Sequence, residues 1–158
     1  MIKWHVTSAA LLVAILIAGP ANAQTDRAAD KAAVEKTVKE FVTDYVTSDD
    51  KKVVSYIHEP WMQIGTGNVS NTRAEAEKVV AEARKTLPKD YDHFNFKQMS
   101  AKMLGKDTAM VSYVGERQTK DNKVLQTVGQ SFFLKRTDAG WKILAGISYP
   151  PEDYIKLD

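Results

Sequence analysis

TAMVSYVGERQTKDNKVLQTVGQSFFLKRTDAGWKILAGISY, residues 108–149, is the stretch that decides the fold. Apolar and polar residues alternate in three runs, Thr108–Thr119, Val124–Thr137 and Trp141–Tyr149. That is the period of strands with one buried face. Lys120-Asp121-Asn122-Lys123 and Asp138-Ala139-Gly140 join them, and connections so short predict an antiparallel meander.

Working back from this stretch, Phe94–Leu104 also alternates and leads through Gly105-Lys106-Asp107 into the meander. Its apolar phase switches between Phe96 and Met99, the one-residue slip of a β-bulge in a bent strand. Before it the period becomes helical. Over Asp30–Thr47, Val34, Val38, Phe41, Val42 and Tyr45 recur every three or four residues, marking one buried helix face. Ser48 is expected to cap a second, short helix, with Asp49 and Asp50 at its positive end. Val53, Val54 and Ile57 form its inner side, and it ends before Pro60. Trp61–Ile64 reads as a short strand and Gly65-Thr66-Gly67-Asn68 as a turn. Thr72-Arg73-Ala74-Glu75 is a capping box that opens a third helix, with Ala76, Val79, Val80, Ala83 and Leu87 buried and Pro88 as its stop. The expected fold class is α+β: three N-terminal helices packed on one face of a strongly curved antiparallel sheet.

The first residues read as a secretory leader. Lys3 is followed by the apolar run Ala9–Ala18, and Ala21-Asn22-Ala23 offers the small-x-small cleavage pattern before Gln24. The run is too short to cross a bilayer as a helix. Residues 1–23 are therefore expected to be removed, leaving residues 24–158 as a single periplasmic or secreted domain without a membrane anchor. The 158 residues include no cysteine, which excludes a disulfide scaffold, thiol catalysis and thiolate metal sites. Twenty-two basic residues balance 20 acidic ones with no block of one sign, so a nucleic-acid footprint is missing. No cofactor motif is present: Gly65-Thr66-Gly67 and Gly105-Lys106-Asp107-Thr108 lack the spacing of phosphate loops. His58 and His93 show no metal-ligand spacing either.

The order of elements resembles the NTF2-like (cystatin-like cone) superfamily, most closely its SnoaL-like branch. Three pieces carry the resemblance: Tyr45-Val46-Thr47-Ser48-Asp49 with Glu59-Pro60-Trp61, then Ile64-Gly65-Thr66-Gly67, and Phe132-Phe133-Leu134-Lys135 with Asp138-Ala139-Gly140-Trp141-Lys142-Ile143. It implies a sheet wrapped around the long first helix, forming a cone with an apolar pocket. That fold serves isomerases, dehydratases, cyclases and pure binding domains alike, so the residues must decide. At the positions where ketosteroid-isomerase-like members carry a tyrosine and a carboxylate base, this chain has Phe41 and Ile64, with Tyr45 one turn from the first. The sheet offers Arg117 beside Glu116 rather than two carboxylates bracketing an arginine. The His/Asp pair that SnoaL-like cyclases carry inside the cone has Asp92-His93 as its only neighbouring counterpart, and adjacent strand residues face opposite ways.

The resemblance and the aromatic positions together nominate a pocket for a small, largely apolar ligand. Tyr45, Tyr56, Trp61, Tyr113 and Trp141 are its expected walls, a role that competes with plain core packing. Gln130 and Arg117 are its expected polar groups, because each interrupts an otherwise apolar strand face. His93 is the candidate for proton transfer, and a solvated edge histidine is the competing reading. The alternatives in function are a SnoaL-like lyase, isomerase or cyclase using a pocket His or Tyr, and a protein-interaction module. The convex side of the sheet is expected to be bare, with Thr127, Gly129, Ser131, Phe133 and Lys135 facing outward, and to form a homodimer with Phe133 near its centre.

Overall fold

The computed structural model describes residues 20–157. The chain order is α1 (Pro20–Thr47), α2 (Asp50–Val54), β1 (Ile57–Ile64), β2 (Asn68–Ser70), α3 (Arg73–Lys85), β3 (His93–Met103), β4 (Thr108–Gln118), β5 (Val124–Thr137), β6 (Gly140–Tyr149) and a 3-10 turn, Pro151–Asp153. The expected leader lies outside the described residues except for Pro20–Ala23, which begin α1. No helix among the described residues is long and apolar enough to cross a membrane.

The meander is as expected: β3, β4, β5 and β6 pair antiparallel in that order. The bulge falls between Phe96 and Gln98, within the predicted phase switch. The sheet, however, has six strands in the order β2-β1-β6-β5-β4-β3. β1 lies parallel to β6, and the β1–β2 hairpin separates α2 from α3. Parallel pairing joins segments distant in sequence, so no local signal announced it. The second helix also ends earlier than its apolar pattern suggested. Asp49, not Ser48, caps it by accepting from the Lys52 amide at 2.8 Å, and Ser55 closes it. Ile57–Pro60 consequently belongs to β1. At α3 the cap is the expected Thr72, whose Oγ1 accepts from the Glu75 amide at 3.3 Å. Glu75 reaches back one residue further than in a standard capping box, to the Asn71 amide.

α1 lies across the concave face of the sheet, with Val34, Val38, Phe41 and Val42 buried against it. Ala109, Val111, Leu134 and Ile143 form the sheet's side of the core. The convex face is not bare. The 3-10 turn rests against β5, and the tail beyond it is tied to β3: the Tyr154 hydroxyl and the Leu157 amide both donate to Ser100 Oγ, at 2.8 and 3.0 Å. The Tyr149 ring fills the space over Gly129, where a Cβ would stand 2.5 Å from the ring. Its hydroxyl donates to the Gln130 carbonyl at 2.9 Å and lies 2.6 and 3.1 Å from the hydroxyls of Ser112 and Ser131. Both serines are fully buried. The chain's own end thus covers the Gly129–Ser131 part of the face expected to be open.

Candidate functional site

Between the concave face of the sheet, α1 and α3 lies a cavity of about 220 Å³. One wall comes from α1 (Phe41, Val42, Tyr45), another from α3 and its exit (Ala83, Thr86, Leu87, Tyr91). The sheet supplies Trp61 and Gln63 from β1, Phe94 from β3, Tyr113 and Arg117 from β4, and Val128, Gln130 and Phe132 from β5. Ser148 of β6 completes it. Strand parity selects these residues: Tyr113 pairs with Gln130, and Gln130 with Ser148, so all three share the concave face. Gly115, between Tyr113 and Arg117, lets the Phe94 ring cross the backbone, since a Cβ there would sit 2.4 Å from that ring. Edge-to-face contacts between Phe41 and Phe132 (5.5 Å) and between Phe94 and Tyr113 (5.7 Å) stiffen the apolar walls.

Five of the seven expected ligand contacts, Tyr45, Trp61, Tyr113, Arg117 and Gln130, are brought together here. Tyr56 and Trp141 are not among the lining residues. Tyr56 lies behind Phe41, and its hydroxyl donates to Asp44 Oδ2 at 2.6 Å, holding α2 to α1. Trp141 opens β6 at the opposite end of the concave face, under the Arg136 guanidinium at 4.7 Å. Arg136 in turn pairs with Asp30 of α1. Trp141 is part of the buried core, and Tyr56 is half-buried against its edge, in the connection between α2 and β1. His93 also stands apart. It pairs with Gln118, opposite in parity to Arg117, and its ring nitrogens meet Asp92 Oδ2 at 3.0 Å and Gln118 Oε1 at 3.1 Å. Asp92 and His93 therefore bond to each other outside the cavity.

The polar groups of the cavity fall into two sets. In the first, the Tyr113 hydroxyl donates to Gln130 Oε1, and Gln130 Nε2 donates to Ser148 Oγ at 3.0 Å. These two bonds link β4, β5 and β6. The second set keeps donors to spare. Arg117 uses one amino group on Gln126 Oε1 at 2.9 Å and lies over the Tyr91 ring at 5.7 Å. No carboxylate among the described residues pairs with it, and none lines the cavity. Burial pushes the Tyr91 hydroxyl up to about 12 against the opposing charge of Arg117. Burial likewise raises Tyr45 and Tyr113. All three stay protonated near neutral pH. The Trp61 indole N–H is the one buried side-chain nitrogen or oxygen among the described residues without a partner, in a residue only 5 % exposed.

Tyr91, Phe94 and Gln63 escaped the sequence reading. Phe94 was reachable: counting back from the Gly105–Asp107 turn and allowing for the bulge sets it opposite Arg117. Tyr91 sits in the α3–β3 connection, where no period operates, and Gln63 depends on the non-local β1–β6 pairing. Among the described residues no group of three or more His, Cys, Asp or Glu side chains could hold a metal ion.

Comparison with known proteins agrees with this architecture. The family model of NTF2-like protein (DUF6841) matches residues 29–151. This chain belongs to that family. A search of curated proteins found no match. Among solved structures, this NTF2-like chain is similar to an NTF2-like protein with a cystatin-like fold from Novosphingobium aromaticivorans. The identity is 14 % and the TM-score 0.61, over 80 % of this chain and 85 % of that one. It is similar also to a proposed dehydratase of the NTF2-like family from Streptomyces avermitilis, at 17 % identity and TM-score 0.56, covering 78 % and 96 %. A ketosteroid isomerase-like protein from Erwinia carotovora atroseptica matches at 17 % identity and TM-score 0.54, over 77 % and 98 %. At such identities the likeness is one of fold.

Proposed function

We propose that this NTF2-like domain is exported and binds a small, largely apolar molecule in its cone, without an assigned reaction. The observation that carries the reading is the cavity itself: aromatic walls around a few oriented polar groups, the general form of a small-molecule site. A cone filled by its own side chains would instead favour an interaction module. The SnoaL-like enzyme reading ranks second. Free tyrosine hydroxyls in the cavity support it, but among the described residues no histidine or carboxylate lines the cavity to take up a proton. We also propose a homodimer formed through the uncovered part of the convex face.

Tryptophan fluorescence tests the binding reading. Trp61 lines the cavity and Trp141 does not, so ligand-dependent quenching should survive Trp141→Phe and vanish in Trp61→Phe. Quenching carried by Trp141 alone would move the site elsewhere. Export has its own check: N-terminal sequencing of the protein recovered from its host should find Gln24, and a retained Met1 would end that proposal.

A further inference from the structure

We propose that the cavity is built for an anion, specifically the carboxylate of a small, flat, aromatic acid, held by Arg117. The inference rests on the binding reading above and specifies the charge of the ligand. Polar groups in the cavity sort by what they still offer. The Tyr113 hydroxyl is spent on Gln130 Oε1, and Gln130 Nε2 donates once, to Ser148 Oγ. The unspent groups are mainly donors: the remaining N–H groups of Arg117, the hydroxyls of Tyr45, Tyr91 and Ser148, and the side-chain NH2 of Gln63, whose oxygen already accepts from Asn68. Neither tyrosine hydroxyl makes a hydrogen bond among the described residues. A lining rich in donors around one cation, with no carboxylate among the described residues to neutralise it, is complementary to an acceptor-rich anion.

Two further points narrow the class. Among the described residues Arg117 is the only cation on the lining, which suits a monoanion; a doubly charged phosphate would leave one charge uncompensated among Phe41, Phe94 and Phe132. A guanidinium's parallel N–H groups match the two oxygens of a carboxylate. The space, about 220 Å³ between aromatic faces, fits one ring with a short acidic side chain.

The test compares trans-cinnamate with trans-cinnamamide, which share shape and differ in charge at pH 7, by calorimetric titration of the whole mature chain. Cinnamate is expected to bind about ten-fold or more tightly than the amide. The preference should fall as salt rises, and in Arg117→Met it should shrink to within about two-fold. Equal binding of the two, or tighter binding of the amide, would overturn the anion inference while leaving a small-molecule cavity in place. Binding of neither at millimolar concentration would remove both readings together. A preference that survives Arg117→Met would take the assignment from Arg117. Should that variant not fold, the wild-type comparison and its salt dependence decide the matter without it.

Discussion

Gln130 spends both ends of its amide inside the protein, and this changes what its substitution should do. The sequence marks Gln130 as a polar interruption of an apolar strand face, and such a residue reads naturally as a ligand contact. In the folded chain its oxygen accepts from the buried Tyr113 hydroxyl and its nitrogen donates to Ser148. Tyr113 is 1 % exposed, so Gln130→Leu strands a hydroxyl away from water, at a cost of about 1–3 kcal/mol. Urea denaturation should show that loss. Tyr113→Phe combined with Gln130→Leu should recover part of it, since removing both partners is nearly neutral where removing one is not. A Gln130→Leu variant as stable as the parent would mean that the Tyr113 hydroxyl finds another partner. Arg117 is the opposite case: its sequence signal was no stronger, yet it is the residue with binding capacity left over. Periodicity shows that a polar residue faces inward; whether its hydrogen bonds are already taken depends on partners across two strands.

Between elements, the joint of α1 and α2 turns on Asp44. Its carboxylate accepts from Tyr56 at 2.6 Å and from Ser48 at 2.9 Å, with Lys52 Nζ at 3.7 Å. The Tyr56 hydrogen bond is the main cause holding the Asp44 carboxyl below its ordinary range, against a smaller opposing effect of burial. A carboxyl depressed in the folded state favours folding above its unfolded value, roughly pH 4. That contribution fades as pH falls through the lower, folded value. Tyr56→Phe should therefore lower the urea midpoint at pH 7, and the deficit against the parent should narrow near pH 3. A deficit that stays constant with pH would mean that only the packing of Tyr56 on Phe41 had been lost. The elements themselves were largely legible. α3 was readable from Thr72 and Pro88, and β3 to β6 from alternation and short turns. Two things were not. The apolar run Val53, Val54, Ile57 fits a helix, but Ser55 closes the helix and passes Ile57 to β1. The β1–β2 hairpin that widens the sheet carries too few alternating residues to show its period. With it went Gln63 and the parallel seam to β6.

At the scale of the whole molecule, the convex face divides in two. The C-terminal tail and Tyr149 cover the part around Ser100, Ser112 and Ser131. Beyond it, Val69, Met62, Ala145, Phe133 and Met110 fall in one row across β2, β1, β6, β5 and β4. Val69 is 51 % exposed, Met62 45 % and the neighbouring Ile64 40 %. An apolar row of this kind on a sheet suits a twofold partner, with Phe133 at the inner end of the patch. Sedimentation at high micromolar concentration should show a dimer, and Met62→Glu or Phe133→Glu should shift it to monomer; a parent that sediments as a monomer would end the idea. The parallel seam has a consequence of another kind, in time rather than in space. As the chain is made from its N-terminus, Ile57–Ile64 has no main-chain partner on its β6 side until Gly140–Tyr149 has followed it. Closing so long a loop is slow. Until the last strand arrives, β1 cannot take its place in the sheet and the cone stays open. In the export proposed above, that delay would keep the polypeptide threadable through the whole of its synthesis. A chain stopped at Thr137 should accordingly show no cooperative unfolding, and folding should begin only when the final strand is released.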